Sequence, residues 1–381
     1  MKYEPIYGQW LDQLLADVAE KIQLTPSAYE RAVDRYYRIA AFLSDSLSGI
    51  AGLGPVIYPQ GSFRVGSTIS AHDNDEDYDI DLVLELNIPA HSDPEMVLQL
   101  VQDVMERGRG TLGFKSCRKK KRCVTIEYAE MHLDITPAVL RDASNPRVIN
   151  IFDRHPERVD HPIANPEGFA QWFDERVLPQ QILKERALRA ETYPVPDQKP
   201  MEEKPNRLLT VQLLKRYRDI ACEKRGYNRC PSVLLSRLAV EAPAGAGLHN
   251  DLRSAAQSVA KAVLRIPPPV TNPRCDFDDL SDRWPEDSTD QRSFAQDLQY
   301  LDDRLAELAH TGSQAEKQRI LQELFGERAG RRAFEAAAKR LGEKSAAGDL
   351  KVGLGRGAMG SLAATAATAA VPQHKFYGSD D

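Results

Sequence analysis

The stretch from residue 58 to residue 84, YPQGSFRVGSTISAHDNDEDYDIDLVL, constrains this 381-residue chain more than any other. Ile80, Leu82 and Leu84 alternate with Asp79, Asp81 and Val83, the period of two that marks a β-strand. Asp79 and Asp81 then share one face, about 6–7 Å apart along the strand. Two carboxylates on one face repel each other unless a cation lies between them, and a hard divalent ion such as Mg²⁺ suits an all-oxygen donor set. Upstream, Gly61-Ser62 supplies a place where backbone can approach closely, with an N–H and a hydroxyl able to bind a phosphate oxygen. A metal site beside a phosphate cradle is the equipment of nucleotidyl transfer.

Gly61-Ser62 followed by Asp79-x-Asp81 resembles the polymerase-β-like nucleotidyltransferase superfamily. The longer strings PQGSFRVGS (59–67) and DYDIDLVLEL (77–86) resemble the bacterial CD-NTases, the cGAS/DncV-like nucleotidyltransferases. The superfamily pattern includes a third carboxylate on a neighbouring strand, and MHLDITPA (131–138) matches it with Asp134. One departure is the spacing: sixteen residues separate Ser62 from Asp79, with a polar insert over Ser70–Tyr78. Further on, LLKRYRD (213–219) resembles the family's LLK-x-[WY]-R-D segment, and Asn272-Pro273-Arg274 through Asp282-Arg283-Trp284 resembles its NP…(D/N)xW loop.

The resemblance implies an α+β, bilobal polymerase-β-like nucleotidyltransferase fold, a mixed catalytic sheet plus a helical second lobe. It places the catalytic lobe with its N-terminal helices at 1–190, a connector at 191–206, the helical lobe at 207–343 and a flexible tail at 344–381. Asp79, Asp81 and Asp134 become the catalytic and metal-binding residues, holding two Mg²⁺ ions, with Mn²⁺ as a substitute. Gln60, Gly61, Ser62, Lys215 and Ser232 become the nucleotide-binding residues. The substrates are then ATP and GTP, and the product a purine cyclic di- or trinucleotide, such as cyclic GMP-AMP, read by an effector protein in anti-phage defence. A regulatory protein partner is compatible with this reading. The alternative is a template-independent nucleotidyltransferase that adds nucleotides to an RNA, a small molecule or a protein.

Asp73, Asp75, Asp77 and Asp79 also have the odd-numbered spacing of a calcium loop. The glycine and glutamate that such a loop needs at its sixth and twelfth positions are missing from both registers. The net charge of −6 and pI near 5.9 argue against a protein built to grip long nucleic acid. Five scattered cysteines without C-x₂-C spacing read as free thiols of a reducing cytoplasm. No apolar leader core and no run of eighteen apolar residues is present, so a membrane role is not expected.

Along the chain, apolar residues at helical spacing predict two N-terminal helices, one through Trp10–Ile22 and one over Tyr29–Leu47. A strand over 55–62 and a helix over Asp93–Arg107 follow. Arg64 reads either as a phosphate contact or as a surface residue. Six cations among the eight residues 115–122 mark a hairpin turn that is either solvated or attractive to triphosphates. His132 shares the strand face of Asp134. Residues 142–165 read as an ordered loop, Glu167–Ala190 as a helix and 193–205 as a proline-rich connector. Further helices are expected at Arg207–Lys224, Pro231–Val240, Ser254–Leu264, Ser288–His310 and Gln314–Leu341. Ser345–Ala370, rich in Ala and Gly, reads as a mobile tail.

Overall fold

The computed structural model describes residues 10–71, 78–142, 148–155, 161–178, 200–284, 288–346, 351–353 and 368–370. Helix α1 spans Trp10–Lys21. Helix α2 (Pro26–Ser44) starts where Thr25 Oγ1 accepts the Ala28 N–H at 3.2 Å and Pro26 supplies a ring already set for helical φ. Strand β1 (Val56–Gln60) leads directly into the short helix α3 (Gly61–Val65), and strand β2 covers Asp79–Glu85. Helix α4 (Pro94–Leu112) is capped by Asp93 at its start and by left-handed Gly113 at its end, so it outruns the expected Arg107 by more than a turn.

Strands β3 (Ser116–Lys119), β4 (Val124–Glu127), β5 (His132–Leu140), β6 (Ile149–Ile151) and β7 (Ile163–Ala164) complete one sheet. Its order is β1-β2-β5-β4-β3, with β6 beside β5 and β7 beside β6. Strands β2 and β5 run parallel and all other neighbours antiparallel, so the sheet is mixed. The segment 142–165, expected as a loop, thus contributes two strands to the sheet edge.

One face of the sheet is apolar. Ile80, Leu82, Leu84, Ile126, Leu133 and Ile135 pack with Tyr36, Ile39 and Leu43 of α2 and with Leu98, Val101 and Met105 of α4. Each buried Leu or Ile contributes about 1.5–3 kcal/mol, which fixes the register and sends the alternate side chains to the other face. On that other face, Tyr58, Val83, Ala138, Ile149 and Ala164 form a small cluster of their own. Asp79, Asp81 and Asp134, sharing this side by alternation, lie towards the starts of β2 and β5.

The second body is helical. It comprises α5 (Pro166–Val177), α6 (Asn206–Arg225), α7 (Ser232–Glu241) and α8 (Leu248–Val263), then α9 (Ser288–His310), α10 (Gln314–Phe325) and α11 (Glu327–Ala346). Between α8 and α9 lies a hairpin of β8 (Thr271–Asn272) and β9 (Cys275–Asp279). Its Asn272 and Asp278 bond to Asn165, the cap of α5. Leu14, Leu15 and Val18 of α1 share one apolar cluster with Phe169 and Phe173 of α5 and with helices α6–α11. In space, α1 and α5 therefore pack with the helices that follow residue 206, whereas α2 packs on the sheet.

The single helix expected over Gln314–Leu341 is two. Gly326 takes φ +97°, outside the helical region, and breaks it between α10 and α11. The expected tail begins inside α11, and Lys351–Gly353 pairs antiparallel with Thr368–Ala370 as β10 and β11. The rest of the tail, most of the polar insert at Ser70–Tyr78, the end of the helix expected to Ala190 and most of the proline-rich connector lie outside the described residues. Among the described residues, no helix is long and apolar enough to cross a membrane. All five cysteines are free thiols.

Candidate active site

The site is built across the sheet by register. Asp81 on β2 lies opposite Gln60 on β1 and Asp134 on β5, and Asp134 lies opposite Thr125 on β4. Asp79 lies opposite His132, whose Nδ1 is 3.8 Å from the Asp79 carboxylate. The three carboxylates named from the sequence are thus brought to neighbouring positions on two parallel strands. Gln60 Nε2 donates to Thr136 Oγ1 at 3.3 Å, one step further along β5.

Gly61 sits at the turn from β1 into α3 with φ +59°, and a Cβ there would stand 2.8 Å from Asp81 Oδ2. Both the backbone conformation and the close approach require glycine. Ser62 follows, with its carbonyl accepting the Ser67 N–H at 2.9 Å and its hydroxyl accepting from Thr68 Oγ1 at 3.4 Å. Arg64 is neither exposed nor turned to the cleft. Its guanidinium is held by Glu167 at 2.9 Å and Asp174 at 3.1 Å, which pins α3 to α5.

Helix α6 braces the loop behind the Gly-Ser turn with three side chains of one face. Lys215 Nζ donates to the Ser67 carbonyl at 2.9 Å, Gln212 Nε2 to the Thr68 carbonyl at 3.3 Å, and Arg216 Nη2 to the Ser70 carbonyl at 2.9 Å. Gln212 is held in turn by Gln23, which accepts from the buried ammonium of Lys204. Lys215 therefore lies beside the expected phosphate loop. Ser232 is exposed at the start of α7, and its hydroxyl accepts from Arg218 Nη1 at 3.0 Å.

Electrostatics single out Asp81. Its carboxyl is pushed up to about 6, first by burial and then by the charges of Asp134 and Asp79, while Arg283 and Lys215 oppose the shift. Burial, reinforced by Arg218, pulls the Lys215 ammonium down to about 8, and Asp219, Asp81 and Asp79 act against it. Asp134 accepts from Thr125 Oγ1 and lies 3.3 Å from Lys120 Nζ. Asp79 is 82% exposed along its side chain, the most open to solvent of the three carboxylates. Among the described residues, no three His, Cys, Asp or Glu side chains converge tightly enough to cage a metal ion as they stand.

The basic turn at 115–122 is largely committed to carboxylates. Lys119 pairs with Glu95, Arg118 with Glu127, Lys120 with Asp134, and Arg122 with both Asp153 and Asp282. Thr125, Thr136, Ser67 and Arg283 belong to the site's surroundings but were not singled out by sequence. Thr125 and Thr136 follow from the strand register alone, and Arg283 follows from the second-lobe loop folding back toward the sheet.

Comparison with known proteins agrees with this geometry. Residues 55–137 match the family model of the cyclic GMP-AMP synthase DncV-like nucleotidyltransferase domain. The chain is 31% identical over 363 residues to the cyclic dinucleotide synthase CdnG of Bradyrhizobium diazoefficiens, covering 88% of this chain and 85% of that protein. It is 25% identical over 387 residues to a c-di-GMP synthase of Roseivirga ehrenbergii, covering 97% of each. The solved structure of the B. diazoefficiens CD-NTase CdnG in complex with GTP superposes with a TM-score of 0.69 at 29% identity, over 86% of this chain and 98% of that one.

Proposed function

Because this chain belongs to the CD-NTase family of DncV-like nucleotidyltransferases and is a cyclic oligonucleotide synthase, we propose that Asp79, Asp81 and Asp134 carry its chemistry and that Gln60, Gly61, Ser62, Lys215 and Ser232 hold the donor nucleotide. The observation that supports this most is the register of β1, β2 and β5. It sets Asp81 against Asp134 on one side and the Gly61 backbone on the other. A phosphate bound at the Gly-Ser turn would then lie directly beside the carboxylates.

The donor set fits divalent magnesium, or manganese in its place. All three groups are carboxylates; burial first, and then the charges of Asp134 and Asp79, push Asp81 up to about 6, and a divalent cation would offset both. When bound, such ions would neutralise the donor phosphates and acidify the acceptor hydroxyl. The residues' own parts follow from their placement. Gly61 and Ser62 present an N–H and a hydroxyl to the donor phosphates, and Lys215 adds a cation from α6. Asp134 is oriented by Thr125 and Lys120, so one carboxylate oxygen is set to accept the hydrogen bond of the attacking hydroxyl. In-line attack forms the new O–P bond as the α–β phosphoanhydride breaks and pyrophosphate leaves. A second transfer closes the ring.

The relatives' guanine nucleotides, GTP in one and c-di-GMP in the other, make GTP a substrate in this proposal, alone or with ATP. The product is then a purine cyclic dinucleotide that acts on an effector protein in anti-phage defence. Purified protein incubated with four labelled nucleoside triphosphates and Mg²⁺, then phosphatase, is expected to yield a resistant cyclic species identified by mass. Asp79→Ala and Asp81→Ala should each lower its formation by about 10³-fold, as loss of a charged clamp does. Undiminished product from either variant would refute the assignment of the carboxylates.

A further inference from the structure

Residues 280–284 form a turn anchored on both sides. The Leu280 N–H donates to the Val270 carbonyl, and the Ser281 N–H and hydroxyl donate to Asp279 at 2.8 and 2.6 Å. Trp284 is buried edge-on to Phe294, and its indole N–H donates to the Asn228 carbonyl at 3.2 Å. From the sheet, Arg122 reaches over to bridge Asp153 and Asp282 at 2.8 Å each. Arg122 is two residues past Lys120, the residue that touches Asp134. The anchored turn is thereby held to the Asp134 side of the cleft.

Arg283 projects from this turn. Its side chain is 64% exposed, and its contact to Asp282 is long at 3.9 Å, with that carboxylate already engaged by Arg122. Its charge nonetheless acts at Asp81, opposite in sense to the neighbouring carboxylates. Lys215 is held behind the Gly61–Ser67 turn by its bond to the Ser67 carbonyl, whereas the turn that carries Arg283 is tied through Asp282 and Arg122 to the Asp134 side.

We propose that Arg283 binds the 5′-phosphates of the second, acceptor nucleotide. The inference rests on the reading of the carboxylate site given above, which assigns the Gly61–Lys215 side to the donor. A second nucleotide then enters over Asp134, bringing several negative charges to a cleft that already holds three carboxylates. It needs a cation not spent on the protein. Lys120 is drawn to Asp134 and Arg122 to two carboxylates, while Arg283 is exposed, held in place by its neighbours and equipped with a planar fork that matches phosphate oxygens.

The test separates donor from acceptor. A 2′,3′-dideoxynucleoside triphosphate of a base the wild type incorporates transfers but cannot accept. The matching α,β-methylene triphosphate and the bare nucleoside accept but cannot donate. Arg283→Ala is expected to raise KM for the methylene triphosphate acceptor about tenfold, the scale of one charge-assisted contact in a partly wet site. Transfer to the bare nucleoside and KM for the dideoxy donor should stay at wild-type values, and Arg283→Lys should recover part of the loss. An equal loss with both acceptors, a change in donor KM, a loss that follows the base instead of the phosphates, or no change would each overturn the proposal. Asp81→Asn run alongside tests the underlying reading separately. If it keeps transferring to both acceptors, the carboxylate site itself is wrong, whatever Arg283 does.

Discussion

Gly61→Ala puts the central contact of the site to a quantitative test. The backbone there has φ +59°, where an L-residue is disfavoured by about 1–2 kcal/mol. For a chain of this size that strain alone should lower Tm by about 1–3 °C. The added methyl would also stand 2.8 Å from Asp81 Oδ2 and 3.5 Å from its Cγ, so the carboxylate must swing away by roughly a bond length. A displacement of about 1 Å in a catalytic group lowers rate by about 10²-fold. Gly226→Ala is the control. Its φ is +72° at the end of α6, and nothing lies within 4 Å of the added methyl. Thermal melts of both variants should show similar losses, while cyclic-product formation under saturating nucleotide falls about 10²-fold in Gly61→Ala only. A Gly61→Ala enzyme that melts like the control and keeps the wild-type rate would refute the argument that the backbone there must touch Asp81.

Two further expectations follow from the charges. Arg64→Ala removes the guanidinium that Glu167 and Asp174 share in a largely buried setting, so it should destabilise by about 3–5 kcal/mol in urea titration. Arg64→Met combined with Glu167→Gln and Asp174→Asn should recover most of that, and a single variant as stable as the wild type would contradict the pinned arrangement of α3 on α5. Burial, and then the charges of Asp134 and Asp79, push the Asp81 carboxyl up to about 6 from 3.8 for an ordinary aspartate, so the folded chain binds this proton more tightly than the unfolded one. Its contribution to stability is complete below about pH 4 and is lost as pH rises through 6, on the order of 2 kcal/mol after allowance for solvent screening. In EDTA the wild type should therefore lose stability relative to Asp81→Asn across that window and melt below it at pH 7.5. Two curves that stay parallel from pH 4 to 7 would show that neither burial nor the neighbouring carboxylates raise Asp81.

What could be read from the chain beforehand and what could not divides along physical lines. The alternation through Asp79–Glu85 reports a local steric period, so the strand and the shared face of Asp79 and Asp81 were visible without coordinates. Partners far away in sequence were not. Arg64 reads as a phosphate ligand or a surface cation until α5, more than a hundred residues on, brings Glu167 and Asp174 to it. The basic run at 115–122 reads as a solvated tip because a charge pattern carries no information about which carboxylates fold back onto it, and Glu95, Asp134, Asp153 and Asp282 come from four separate segments. Apolar stripes have the same blindness: those of α1 and α2 look alike, yet one meets the helical cluster and the other the sheet. Gly326 failed differently. A lone glycine within a helical pattern is usually tolerated, and only the docking of α11 against α1 and α10 selects the φ of +97° that breaks the helix. The same reasoning explains why Lys215 could be assigned to phosphate from its motif but not to the Ser67 carbonyl. That carbonyl becomes a partner only when α6 lies behind the Gly-Ser loop. One ammonium has three donors, so bracing the loop at the Ser67 carbonyl leaves two with which to meet a phosphate.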